Sequence, residues 1–173
     1  MEIKRTIARN RPAAMSCPAE WSDLGSILAS ADGKACLYGY LRSMDSGDPS
    51  PRRFYKHIEL LDEVALFRRE ADDAQRRAER IVSLYVTPKT APGGLYAAAP
   101  TAEQLKQADI SADQFEPLED AAREALKPFV TQFLSDVKKG EKTVRQRVKE
   151  SGYLAFSEQL NGGKKKAHVC ALC

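Results

Sequence analysis

A chain of 173 residues, 43% of them hydrophobic, is long enough for one domain with a sizeable core and too short to divide comfortably into two. Its 27 Lys and Arg against 24 Asp and Glu leave a net charge of +3, too small to imply a nucleic-acid partner. No run approaches the ~18 apolar residues of a membrane-spanning helix, and the charged start lacks the apolar stretch of a signal peptide, so a cytosolic compartment is expected.

The first nineteen residues mix basic side chains with Pro12 and Pro18 and show no sustained period, which predicts a flexible arm. Order is expected from Glu20. Trp21, Leu24, Ile27 and Leu28 fall at helical spacing and stop before a turn signal at Asp32-Gly33; residues 35–41 then predict a second short helix. Residues 43–51 are rich in turn formers and predict a surface loop.

The strongest periodicity follows. Leu60, Val64, Phe67, Ala71, Ala74, Ala78, Ile81 and Tyr85 are separated by alternating steps of four and three, one continuous apolar stripe. Two structures satisfy it: a single helix of about 30 residues, roughly 45 Å long, or a hairpin in which Asp72-Asp73 caps a second helix. Residues 87–100, with three prolines and two glycines, predict a long irregular connection, and Thr101 opens a short helix through Leu105. Helical spacing resumes from Glu116 to Asp136, where Pro128 is expected to divide the segment into two helices. Val144, Val148 and residues 153–156 supply a last helical pattern that ends at Asn161-Gly162-Gly163. No strand pattern occurs. The expected class is therefore all-α, an antiparallel helical bundle, with an arm over 1–19, a domain over 20–160 and a tail over 161–173.

Catalytic chemistry has few residues to draw on. His57 and His168 have no Cys, Asp or Glu at metal-ligand spacing and are expected at the surface. Phosphate loops, nucleophile elbows and zinc-protease motifs are missing from the sequence. Asp62-Glu63 and Asp72-Asp73 are neighbours on helices, so their side chains diverge by about 100° and are expected on a solvated face. No metal or diffusible cofactor is expected, and the chain is not expected to be an enzyme.

The tail carries a sharper signal. From Lys138 onward there are nine Lys or Arg and three Glu, so the basic excess belongs to the end of the chain, with Lys164, Lys165 and Lys166 as its densest part. Behind them Cys170-Ala171-Leu172-Cys173 has the form of a C-a-a-X box, which predicts a prenyl group on Cys170. The same residues spell CxxC, but a redox or zinc site needs a folded frame or a second pair of ligands. Cys17 and Cys36 stand alone, and free thiols are expected rather than a disulfide framework. One lipid chain binds membranes marginally; three lysines near an anionic leaflet add about 1 kcal/mol each. The expected location is the cytoplasmic face of a membrane.

Several segments together carry a family likeness. DLGSILAS (23–30) with LYGYLRS (37–43), LDEVALFRREA (61–71), AERIVSLYV (78–86) and the loop after it, Phe115 to Ala122, and Phe133-Leu134-Ser135 resemble, in order, the motifs of the regulator of G-protein signalling (RGS) domain. The resemblance covers Leu24 to about Ser135. It implies a fold of about nine helices that binds the switch regions of an activated Gα subunit and speeds GTP hydrolysis by holding the transition-state arrangement, without a catalytic acid or base of its own. It places Asp62, Glu63, Gly94, Leu95, Lys127 and Gln132 at the contact with Gα. The chain departs from the family at four places: Glu63 replaces an amide, Gly94 falls near a loop asparagine, and Pro128 and Gln132 fall near an acidic and a basic contact. The implied molecule is a monomeric, prenylated regulator whose membrane tether raises the effective concentration of its Gα partner. A lipid-anchored adaptor, its 60–85 stripe forming one long helix that pairs with another chain, is the alternative reading. A thiol or metal protein using Cys170 and Cys173 is a third.

Overall fold

The computed structural model describes residues 17–45, 53–69, 73–86, 111–140 and 142–162. Among these there is no strand, and seven α-helices pack around one core: α1 (Leu24–Ala29), α2 (Ala31–Asp45), α3 (Tyr55–Arg69), α4 (Ala74–Ile81), α5 (Glu116–Lys139), α6 (Val144–Glu150) and α7 (Tyr153–Gly162). A π-helical turn, Val82–Val86, prolongs α4, and a 3-10 turn, Ala112–Phe115, leads into α5. The predicted loop at 87–100, the short helix from Thr101, and the site residues Gly94, Leu95, Lys164, Lys165, Lys166 and Cys170 lie outside the described residues. None of the described helices is long and apolar enough to cross a membrane.

Local chemistry sets the first boundary. Asp23 Oδ1 accepts from the Ser26 amide at 2.8 Å while Ser26 Oγ accepts from the Asp23 amide, a reciprocal cap that starts α1. That amide bond holds the Asp23 carboxyl below its ordinary pKa. Gly33, expected in a turn, lies instead within the first turn of α2, because α2 begins two residues after α1 ends. A Cβ at Gly33 would stand 2.6 Å from the Ile27 carbonyl oxygen, so the glycine answers to the close crossing of the two helices.

The long apolar stripe turns out to be a hairpin. Arg80 Nε donates to Glu63 Oε1 at 2.9 Å, although seventeen residues of continuous helix would separate them by about 26 Å. Burial, and then the Glu59 and Glu63 carboxylates, hold the Tyr85 phenol above its ordinary pKa, in keeping with α4 packing back along α3. Leu60, Val64, Phe67, Ala78, Ile81 and Tyr85 share one core, with Phe67 edge-on to Phe115 at 5.1 Å. The single long helix required by the adaptor reading is thereby excluded.

Pro128 does not divide α5, which runs unbroken through 24 residues. An interior proline costs about 3 kcal/mol in a helix. Pro128 is exposed, leaving the freed carbonyl open to water, while Leu126 and Phe133 on either side are fully buried. Phe129 meets Phe54 at 4.5 Å, and Phe133 meets both Trp21 and Tyr40. Burying two such side chains offsets a cost of that size, at about 1.5–3 kcal/mol apiece.

His57 also departs from expectation. It is fully buried, ring-stacked on Phe54 at 6.3 Å, with neither nitrogen hydrogen-bonded among the described residues. Burial alone lowers its pKa to about 4 from an ordinary 6.5, so it is held neutral. Every residue from His57 to Val64 is buried, because α3 is surrounded by α2, α4 and α5 rather than lying against the core with one face.

Candidate functional site

The carboxylates on α3 are tied internally, against the expectation of a solvated face for Asp62-Glu63. Glu59 accepts from the Tyr38 hydroxyl at 2.7 Å and from Lys56 Nζ at 2.5 Å. One turn on, Asp62 accepts from Lys34 Nζ at 2.6 Å and from the Tyr153 hydroxyl at 2.5 Å, joining α2, α3 and α7. Each phenol is held well above its ordinary pKa, first by burial and then by the carboxylate beside it. Glu63 is 0% exposed, and its second oxygen has no hydrogen-bond partner among the described residues. It offers no surface while α3 and α4 stay paired.

Asp62, at 8% exposure, lies on the floor of a groove of about 490 Å³ between α1, α3 and α5. Leu24, Leu28, Ile58 and Leu61 give the groove an apolar strip, and Lys34, Arg68, Arg123 and Lys127 surround it with four cations. Glu119 is the other acid in it. Arg68 Nη1 donates to Glu119 Oε1 at 2.9 Å and its second terminal nitrogen reaches Oε2, a two-pronged pair. Among the residues lining the groove four cations stand against two carboxylates, with Lys34 and Arg68 engaged by Asp62 and Glu119, and Arg123 and Lys127 paired with the exposed Asp120 and Glu124 on their own helix.

Of the predicted site residues, Asp62 and Lys127 therefore come to one groove from positions 65 residues apart. Lys127 stands on its rim, paired with Glu124. Gln132 is exposed on α5 but does not line the groove: five residues further on, it is rotated by about 140° from Lys127. Lys34, Arg68, Glu119 and Arg123 were not singled out from the sequence. A signal existed, since Glu119, Arg123 and Lys127 repeat every fourth residue and Ile58, Leu61, Ala65 and Arg68 follow steps of three, four and three. The second stripe runs beside the stronger one through Leu60, Val64 and Phe67, which masked it.

Among the described residues no group of three or more His, Cys, Asp and Glu could hold a metal ion. Cys17 and Cys36 are buried free thiols, and burial pushes the Cys36 thiol up to about 12, leaving it a packing group that donates to the Val144 carbonyl. No protein-family model, no curated protein and no solved structure matches the chain.

Proposed function

We propose that this chain is a membrane-tethered helical regulator of the RGS type, which binds an activated Gα subunit and accelerates its GTP hydrolysis by positioning rather than by chemistry of its own. The observation that carries the reading is the meeting of Asp62 and Lys127, two residues the resemblance assigns to the contact, on one cation-rimmed groove. The folded-back α3 and α4 suit the same reading, since a compact bundle presents a rigid face to a partner. Positioning needs rigidity more than reactivity, and the pinning of Asp62 by both Lys34 and Tyr153 supplies it. Single-turnover GTP hydrolysis by Gα, with and without the chain, is the test.

The tether belongs to the same proposal. Were Cys173 the free carboxyl end, Cys170 would take the prenyl group and Lys164, Lys165 and Lys166 would hold the tail against an anionic leaflet. Cys170→Ser should move the protein from the membrane to the soluble fraction in cell fractionation. Replacing the three lysines by glutamine should weaken attachment only in part. An unchanged membrane fraction in the Cys170→Ser variant would remove the lipid from the account.

A further inference from the structure

The groove continues past its basic rim. Sharing Arg68, Glu119 and Arg123 with it is a second hollow of about 480 Å³, whose remaining lining residues, Asp113, Glu116 and Asp120, are all acidic. The two hollows have opposite sign: four cations face two carboxylates in the first, and two cations face four carboxylates in the second. Along α5 the acidic Glu116 and the basic Lys127 are eleven residues apart, about 16 Å. The apolar strip of Leu24, Leu28, Ile58 and Leu61 belongs to the basic hollow.

The ion pairs within the chain are of two strengths here. Arg68 with Glu119 and Lys34 with Asp62 engage carboxylates that are nearly buried, and these pairs form the floor. Arg123 with Asp120 and Lys127 with Glu124 are exposed neighbours on one helix and contribute little, Arg123 reaching Glu119 as well. A partner's charges can replace the exposed pairs at small cost.

We propose that the two hollows form one docking site for a segment of a partner protein with ordered charge: a carboxylate against Lys127, a bulky apolar side chain over the leucine-rich strip, and a cation against Asp113, Glu116 and Asp120. Charge selects this occupant. The chain's own Lys164-Lys165-Lys166 tail and its Arg-rich residues 1–16 bring chiefly cations and satisfy one end only. Electrostatic complementarity of this kind fixes the direction of docking and the choice of partner more than raw affinity. The site deepens the proposed function by naming the chemistry of the bound segment, and rests on that reading only for the partner's identity.

The test is selection of random 12-residue displayed peptides against the full chain, followed by affinity measurement with the enriched peptides as probes. The expected binders carry acid, apolar residue and base in one order. Lys127→Glu, at a position 60% exposed and free to change without unfolding the helix, should weaken them about tenfold, and a peptide with its carboxylate changed to a cation should recover the loss. Asp120→Lys should act likewise at the other end. Binders without a common charge order, or indifference to both substitutions, would overturn the proposal. So would a tenfold gain in affinity on deleting residues 1–16, which would assign the groove to the chain's own arm. Because Gα is not used, failure here is separate from failure of the GTPase test.

Discussion

Stability should fall by about 3 kcal/mol between neutral pH and pH 4 through His57 alone. The unfolded chain protonates this histidine at its ordinary 6.5, whereas the folded chain resists until about 4, because no partner awaits a charged ring beside Phe54. Between those values the unfolded state binds more protons, so the contribution is complete above pH 6.5, declines as pH falls through the window and levels off below pH 4. Urea midpoints taken at intervals across the window measure it. His57→Leu, similar in bulk and uncharged, should flatten the curve there. Equal slopes for the two proteins would show that His57 is not held neutral in the core.

Arg80→Ala is expected to cost about 2–3 kcal/mol, which is large for a side chain half in solvent. The cost arises at the other end of the pair, where removing the guanidinium leaves the Glu63 carboxylate fully buried with neither oxygen partnered among the described residues. Because Arg80 is 54% exposed, solvent screens the pair, and the figure is set below the range typical of a wholly buried one. Adding Glu63→Leu should recover most of the loss, since the double change removes the charge and not merely its partner. A double-mutant cycle by urea unfolding reads the coupling. Additive effects of the two changes would mean that the α3 and α4 pairing does not depend on this contact.

Much of the fold was legible because helical periodicity survives a change of path. Of the stripe from Leu60 to Tyr85, Leu60, Val64, Phe67, Ala78, Ile81 and Tyr85 are buried, yet a stripe is the same for a straight helix and for two helices folded on one core. Only the contact between Glu63 and Arg80 decides, and it is tertiary. His57 and the Asp62-Glu63 pair were misplaced for a related reason. Polar residues are assigned outward by default, but every residue of α3 from His57 to Val64 is buried, so its carboxylates had to find Tyr38, Lys34, Tyr153 and Arg80 on other elements. Pro128 shows local propensity yielding to packing, with Leu126 and Phe133 anchoring α5 on both sides. The groove was half legible. Asp62 and Lys127 came from the family resemblance, whereas Arg68 and Glu119 depend on two helices meeting across 51 residues of sequence.

The central proposal is that a pinned and rigid helical face engages an activated G protein. Single-turnover GTP hydrolysis by a purified Gα subunit, measured with the full chain, without it, and with the Lys127→Glu variant, tests that claim most directly. The account predicts a faster single turnover with the full chain and a smaller acceleration with the variant. An unchanged rate, together with no binding to the aluminium-fluoride form of Gα, would contradict it.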